Sequence, residues 1–414
     1  MPGNPRAKLA RLGRCGLQGV VFRPRFSGRV VLALLLLGWA FAGPRVSGRS
    51  RSAPGGHAAP GSSSAHRGTP PAGGPSPPVG HEPSGGEAEP PGGAAKGQAP
   101  DAFASAAGCA ALVGAGQRFP RAAGSARFVS WNLHWFPNGV PGEKNAGGDV
   151  QWLACALVWL DADVLAVQEV KQSPKADQAL ATLLSELNRG SGGRYVARLD
   201  DCGRRVSQHV GLIWNEARVS ATGVETVAAL NPHGSPCQDQ LRPGLAARFR
   251  FPGGLDLATV SAHFKSMPDR HGFELRAASF AAVPGVLRSL TGAAHDADFL
   301  LLGDLNTMGC DECSPRISPR EEVTAQATRL LSGGVRLVPA DAAGSELYEN
   351  QLTLLDHALA ATTMRELGPA VRSHVAGMCA ADAPALTGRA AKKIRRGLSD
   401  HCPLVLDLTD RDLD

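Results

Sequence analysis

The chain has 414 residues, 43% of them hydrophobic, and a formal net charge of +6. Its length would accommodate two or three domains, but its charge is uneven: residues 1–124 hold 14 of the 43 Lys and Arg and only 4 of the 37 Asp and Glu. The positive balance therefore belongs to the N-terminal part, and the overall charge excludes any argument that the rest of the chain is a basic nucleic-acid-binding module.

The first 42 residues have the pattern of a targeting segment. A basic stretch is followed by "VVLALLLLGWAFA", Val30 to Ala42, which is shorter than the roughly 20 residues that span a membrane. Ala40-Phe41-Ala42 offers a small-x-small cleavage site. We predict a signal peptide at 1–42, with a retained N-terminal anchor as the alternative, and hence a secreted, periplasmic or other extracytoplasmic protein.

Residues 43–124 are rich in Gly, Pro, Ala and Ser and poor in large apolar side chains, so they cannot bury enough surface to fold. We predict a disordered linker over 43–124 and a single catalytic domain over 125–414.

Cysteine usage agrees with an exported protein. Of nine cysteines, one lies in the predicted signal peptide, and the remaining eight permit disulfides in an oxidising compartment. Their pairing does not follow from the sequence. The lone pair Cys310-x-x-Cys313 is interpreted as a local bridge or as two free thiols.

The predicted elements of 125–414 mix strands and helices, and strands outnumber helices. In chain order they are strand "RFVSWNL", helix "DVQWLACALVWLD", strand "DVLAVQEV", helix "SPKADQALATLLSELNRG", strands "QHVGLIWN", "LAARFRF" and "LDLATVSAHF", a helix over 274–290 kinked or split by Pro284, and strands "DFLLLGD", "LTLLDHALA" and "CPLVLDL". Hairpin-like neighbours beside helical crossovers favour an α/β (α+β) fold with a two-layer sheet core over a doubly wound sheet.

Polar side chains follow five of these apolar runs, and a sixth polar group stands just before the last strand. Each alone is an ordinary turn former or capping group, but together they are the residue types that bind hard cations and move protons. They are Asn132, Gln168 with Glu169, His263, Asp304 with Asn306, Asp356 with His357, and Asp400 with His401.

In this order the motifs resemble the endonuclease/exonuclease/phosphatase superfamily and, within it, pancreatic-type deoxyribonuclease. "DVLAVQEVKQSPKADQALATLLSELN" is similar to that nuclease's Gln-Glu strand and following helix, and "LRPGLAARF" and "SAHFKS" are similar to its Arg-x-Pro and His strands. The resemblance covers about 126–409. It implies a DNase I-like four-layer sandwich of two mixed β-sheets flanked by helices, and phosphoester cleavage.

The residue types in this pattern suggest roles. Glu169 is the first candidate for a divalent-metal ligand, with Asp400 and Asn132; oxygen ligands suit Mg²⁺, with Mn²⁺ or Ca²⁺ as alternatives. His401, oriented by Asp356, is assigned as general base. In the alternative scheme, Asp304 is the base and His401 donates to the phosphate.

The remaining roles concern the phosphate. Asp304 and Asn306 position the nucleophile and a phosphate oxygen, and His263 is a general acid or donor on the other side. Arg242, Lys171 and Arg205 are candidate substrate-binding cations.

Two features qualify the resemblance. The carboxylate that pairs with the first catalytic histidine of the nuclease falls near Gln208, a neutral residue. The run "RAAKKIRRG", Arg389 to Gly397, is interpreted either as a flexible basic loop at the rim of the site or as a solvated charge run.

The predicted function is an exported, metal-dependent phosphodiesterase, a nuclease acting on DNA and possibly on RNA, monomeric and without a stable protein partner. A membrane would be contacted only through an uncleaved N-terminal anchor. The alternatives on the same fold are a phosphomonoesterase and a sphingomyelinase-type lipid phosphodiesterase.

Overall fold

The computed structural model of the chain describes residues 102–414 except 143–146, 236, 239, 293–297, 349–350, 382 and 384–387. The predicted signal peptide and most of the predicted linker lie outside these residues. Among the described residues, no helix combines the length and the apolar character needed to cross a bilayer.

The helices are α1 (Ala106–Gly114), α2 (Val150–Leu160), α3 (Pro174–Ser191), α4 (Arg270–Thr291), α5 (Pro319–Ser332) and α6 (Gly388–Gly397). The strands are β1 (Ser125–Phe136), β2 (Val164–Val170), β3 (Tyr195–Leu199), β4 (His209–Asn215), β5 (Ser220–Val227), β6 (Gly244–Arg250), β7 (Asp256–His263), β8 (Phe299–Asp304), β9 (Val335–Val338), β10 (Glu346–Tyr348), β11 (Gln351–Thr353), β12 (Asp356–Ala361), β13 (His374–Val375) and β14 (Leu404–Thr409).

Two six-stranded mixed sheets form the core. Their strand orders are β13-β14-β1-β2-β4-β3 and β5-β6-β7-β8-β12-β9, and β10 and β11 make a separate hairpin. The central strands β1, β2 and β4 face β8, β7 and β6 of the other sheet. With helices α2 and α3 beside the first sheet and α4 and α5 beside the second, the four-layer DNase I-like sandwich is confirmed.

Helices α1 to α5 each begin where the sequence supplies a side-chain cap. Asp149 accepts from the amides of residues 151 and 152 at the start of α2, and Ser173 caps α3, with Pro174 as its first residue. Helix α4 runs through Pro284, so the predicted split does not occur. Because proline lacks one amide donor but has a helical φ, a helix packed along its length can accommodate it.

The predicted boundary at residue 124 is wrong, because the packed domain includes residues from 102 onward. Phe103 is 2% exposed and contacts Trp131 and Trp159 edge to face. Helix α1 is joined to α2 by the disulfide Cys109–Cys155. The Gly- and Ala-rich composition of α1 resembles the linker, but buried residues and a disulfide fix this segment to the domain. Phe119 also contacts Trp159, and Trp152 Nε1 donates to the carbonyl of Ala102.

All eight cysteines that follow the predicted signal peptide form disulfides. Cys109–Cys155 and Cys202–Cys237 join distant segments, Cys310–Cys313 is the local bridge predicted as one alternative, and Cys379–Cys402 fixes the residue that follows His401. The bridges therefore hold both the edge of the domain and the loops around the strand ends.

Candidate active site

The strand registers bring the polar strand ends to one edge of the sandwich. Strands β7 and β8 are parallel and align His263 with Asp304, and the antiparallel strand β12 aligns Asp356 with Asp304. In the other sheet, β1 and β2 are parallel and align Asn132 with Gln168. Because parallel strands end at the same edge, five of the predicted residues converge without any loop rearrangement.

Gly303 permits this convergence because it lets β7 and β8 pack closely. Its position just before Asp304 suggests a tight turn, but the residue lies within the strand. It lies inside β8, where a side chain would overlap the carbonyl oxygen of Ala262 on β7. The absence of a Cβ lets the two parallel strands approach so that His263 and Asp304 face one another.

Asp304 is the centre of the site. Its Oδ2 accepts a hydrogen bond from Asn132 Nδ2 at 2.9 Å and lies 3.3 Å from His263 Nε2 and 3.7 Å from His401 Nε2. Its Oδ1 accepts from the backbone amide of Asn306 at 3.0 Å. Burial raises the pKa of Asp304, and the neighbouring carboxylates Asp356 and Glu169 raise it further against the opposing effect of His401.

His401 is held by a second carboxylate. Its Nδ1 lies 2.8 Å from Asp356 Oδ2, which leaves Nε2 facing Asp304. Burial alone lowers the pKa of His401, but the charges of Asp356 and Asp304 outweigh burial and hold that pKa well above the usual range. The predicted orientation of His401 by Asp356 therefore matches the geometry.

His263 faces the opposite side of the same carboxylate and is electrostatically different. Its Nε2 also lies 3.9 Å from Glu169 Oε1, and its Nδ1 has no hydrogen-bond partner among the described residues. Burial, followed by the charges of Arg242 and His401, holds the pKa of His263 well below the usual range. Gln208 is buried but does not bond to this histidine.

The predicted metal ligands already contact other groups of the protein. Glu169 accepts from the amide of Trp135 through Oε2, and Asp400 Oδ1 lies 2.7 Å from His134 Nδ1. Both ends of the Asn132 amide bond within the protein, to Asp304 and to the amide of residue 134. The ligand roles of Glu169, Asp400 and Asn132 stay predictions.

Strained backbone is concentrated at this edge. Four non-glycine residues here have a left-handed φ between 49° and 60°: His134, Trp135, Glu169 and Asn306. Such conformations cost on the order of 1–3 kcal/mol each and persist where the surrounding structure imposes them. Tertiary contacts therefore fix the directions of these side chains against local preference.

The three predicted cations lie in different places. Arg242 donates to the carbonyl of Phe264, which also accepts from Asn306 Nδ2, so its guanidinium adjoins the Asp304–Asn306 loop. Lys171 donates to the carbonyl of Gly139 and lies over the ring of Trp135 at 5.2 Å. Arg205 is exposed, and its guanidinium donates to carbonyls of its own loop, so no described contact brings it to the site.

A family model identifies the chain. The model of the Endonuclease/Exonuclease/phosphatase family matches residues 129–401, from Val129 within β1 to His401. The chain belongs to this family. It is therefore a phosphoester hydrolase of a divalent-metal-dependent family. A search of curated proteins found no match.

Several solved structures resemble the chain at low identity. D. rerio TDP2 complexed with a single-strand DNA product is 16% identical, with 69% of this chain and 98% of that chain covered and a TM-score of 0.45. The catalytic domain of human Nocturnin is 15% identical (69% and 93% covered, TM-score 0.44). A Bacteroides thetaiotaomicron mannosyl-6-phosphatase is 14% identical (69% and 99%, TM-score 0.45).

One residue of the site has no counterpart in the sequence prediction. Glu346 on β10 places Oε1 4.0 Å from His401 Nε2, and burial, with the nearby carboxylates Asp400 and Asp356, raises the pKa of Glu346. Glu346 lies in a three-residue strand and follows no apolar run, so no sequence signal marks it. His134, two residues beyond Asn132 at the end of the first predicted strand, had no predicted role, and the structure pairs it with Asp400.

Proposed function

We propose that the chain is an exported, divalent-metal-dependent nuclease that hydrolyses DNA and possibly RNA. The observation that carries this proposal is the shared oxygen of Asp304, which Asn132 of β1, His263 of β7 and His401, just before β14, all approach. A carboxylate between two histidines, one of them backed by Asp356, supports proton transfer and charge stabilisation at a phosphodiester.

The donor set fits a hard divalent cation. Glu169 and Asp400 would hold the ion through their carboxylate oxygens, with Asn132 beside them. One ligand atom each of Asp304, Asp356 and His401 also lies within 4.8 Å of the others, but a protonated His401 cannot ligate a cation, so this group is assigned to proton transfer. When bound, Mg²⁺ supplies neutralisation of phosphate charge and polarisation of its oxygens.

The protonation states of His401 and Asp304 favour the second predicted scheme, in which Asp304 is the base and His401 donates to the phosphate. His401 carries a raised pKa and so an imidazolium that can donate from Nε2 to a phosphate oxygen. Asp304, whose pKa is also raised, is then the better acceptor for the proton of the attacking water. His263 and Arg242 lie on the other side of Asp304 and would contact the phosphate there.

Export is supported by the four disulfides, since such bridges persist in oxidising compartments. The rim cations Arg242 and Lys171 support a polyanionic substrate. The phosphomonoesterase and lipid phosphodiesterase alternatives share the chemistry at Asp304 and differ in what lies beyond the reacting phosphate.

A substrate panel tests the proposal. The purified protein would be assayed with plasmid, single-stranded DNA, RNA, sphingomyelin and inositol phosphates, in Mg²⁺ and in EDTA, with His401→Ala as the inactive control. We expect cleavage of DNA in Mg²⁺ only. Release of phosphate or phosphocholine from the small substrates, with intact DNA, would overturn the nuclease assignment in favour of one of the alternatives.

A further inference from the structure

Helix α6 presents a row of cations on one face. The predicted basic loop at 389–397 is a helix in the structure, and Arg389, Lys392, Lys393 and Arg396 follow the spacing i, i+3, i+4, i+7, which places them on one side of it. Ile394 is buried against the domain on another side. The helix is therefore oriented by its apolar residue so that its basic row faces outward.

This basic row lines a cleft of about 1020 Å³. The cleft is also lined by residues 105–107 at the start of α1 and by Trp152 of α2. Asp149 is the one acidic residue that lines the cleft, and its carboxylate accepts from the amides at the start of α2. Four cations and the amino-terminal end of α1 give the cleft a positive potential.

The walls of the cleft are fixed before any ligand binds. The disulfide Cys109–Cys155 joins α1 to α2, and the amide of Asp149 donates to the carbonyl of Gly397 at 2.7 Å, which joins α2 to the end of α6. The Arg396 Nε is buried and has no hydrogen-bond partner among the described residues. A rigid cleft that carries such a donor is prepared for an anionic ligand.

The cleft lies within a short distance of the reacting groups. Gly397 is four residues before His401, which limits their separation to about 14 Å, and α6 itself extends about 15 Å further. Together these lengths are at most about 29 Å, and at about 3.4 Å per nucleotide along one strand of a duplex they correspond to at most about eight nucleotides from the reacting phosphate. Helix α6 also contacts the hairpin that carries Glu346. Arg395 of α6 lies over the ring of Tyr348 on this hairpin, 5.3 Å from the ring centroid.

We propose that the cleft between α6 and α1 is a second binding site, which holds the phosphate backbone of a nucleic-acid strand several nucleotides away from the reacting phosphate. This inference rests on the proposed nuclease function and deepens it, because it makes the substrate a polymer that spans two sites. The recognition is electrostatic, so it selects for strand length and charge and not for base sequence.

The test measures binding separately from cleavage. The triple variant Arg389→Gln, Lys392→Gln, Lys393→Gln changes three exposed side chains and leaves the buried Ile394 in place. Its matched control is Arg248→Gln, Arg288→Gln, Arg320→Gln, three exposed arginines on β6, α4 and α5. Affinity for a fluorescein-labelled single-stranded DNA 20-mer would be measured by anisotropy in EDTA over a range of salt concentrations.

We expect the α6 variant to bind the DNA about 10- to 100-fold more weakly at 0.1 M salt, and its slope of log K against log salt to flatten by about two, which corresponds to three lost phosphate contacts. The control variant should keep the wild-type slope. Unchanged affinity and slope in the α6 variant would overturn the second site. Binding to anionic lipid vesicles is measured for the same variants, and a loss of vesicle binding without a loss of DNA binding would also overturn it.

Cleavage of the same DNA in Mg²⁺ is recorded in parallel. Absence of cleavage by the wild-type chain counts against the proposed nuclease function, whereas the binding difference in EDTA alone decides whether the cleft holds DNA. The two failures are therefore distinguishable.

Discussion

The Asp356–His401 pair is one of several Asp–His pairs in the protein, and its environment sets it apart. His374 Nδ1 lies 2.5 Å from Asp341 Oδ2 on the surface, whereas the Asp356–His401 pair is buried and faces Asp304. The same two side chains can thus bind one another in either setting. What makes His401 a candidate catalytic group is a second carboxylate, Asp304, on the other side of its ring.

Replacing Asp356 removes both the orientation and the charge balance of His401. For Asp356→Asn we expect kcat on the best panel substrate to fall by about 10²–10⁴-fold, because an amide no longer balances the charge of His401 or fixes its tautomer. Steady-state kinetics measure this effect. Asp341→Asn is the matched control and should leave kcat unchanged; equal loss in both variants would contradict a specific role for Asp356.

His357 predicts a pH-dependent stability. Its Nε2 lies 2.8 Å from Thr307 Oγ1, and burial lowers the pKa of His357 to about 4 from 6.5. Between these values the unfolded chain binds the proton and the folded chain does not, so stability falls as pH decreases from 6.5 to 4.

The loss should amount to about 3 kcal/mol at most. Urea unfolding in EDTA at several pH values measures it for the wild type and for His357→Gln, which should lack this part of the decline. The exposed His271→Gln should retain the wild-type decline. A His357→Gln profile parallel to that of the wild type would show that the histidine is not held neutral.

At the scale of elements, a buried ion pair joins α4 to α5. Arg276 Nε donates to Glu322 Oε1 at 2.9 Å, both side chains are inaccessible to solvent, and the guanidinium also donates to the carbonyl of Gly309 beyond the Asp304–Asn306 loop. The pair therefore fixes the two outer helices to the loop that carries Asn306.

Breaking this pair leaves a buried charge without its partner. For Glu322→Gln we expect a loss of about 3–5 kcal/mol in the free energy of unfolding, measured by urea denaturation. Asp256→Asn removes the partner of Arg250 in an exposed pair and should cost less than about 1 kcal/mol. Similar losses in the two variants would contradict the structural role of the buried pair.

The disulfide Cys109–Cys155 determines whether α1 stays with the domain. It spans 46 residues of sequence, so replacing both cysteines with serine should lower the stability by about 4 kcal/mol through loop entropy. Replacing Cys310 and Cys313, three residues apart, should cost less than about 2 kcal/mol. Thermal unfolding of both variants measures the difference, and equal losses would contradict the loop-entropy explanation.

The elements differ in how far the sequence could predict them. Strand β8 was predictable because four buried apolar residues precede Gly303 and Asp304. Helix α1 was not, because its residues are those of a linker and its position depends on Cys155, 46 residues away. Helix α6 lacked the usual signal, since it contains a single buried apolar residue, Ile394, among its charges.

For the whole molecule, the family and the layer architecture followed from the order of the polar strand ends, and the family model and the sheet topology agree with that prediction. The protonation states of the site residues did not follow from the sequence. Whether His401 or Asp304 carries the proton depends on burial and on distances between strands that are far apart in sequence. The sequence did not predict Glu346 either, because its position beside His401 depends on packing between segments that are far apart in sequence.

The central claim is that the Asp304 carboxylate carries phosphodiester hydrolysis. Its most direct test is the rate of DNA cleavage in Mg²⁺ by the wild type and by Asp304→Asn, with folding checked by circular dichroism. Asp256→Asn, which alters the exposed partner of Arg250 at the opposite end of β7 from His263, is the control. We expect Asp304→Asn to lose about 10³-fold in kcat and the control to lose none. A folded Asp304→Asn that cleaves DNA at the wild-type rate would contradict the account.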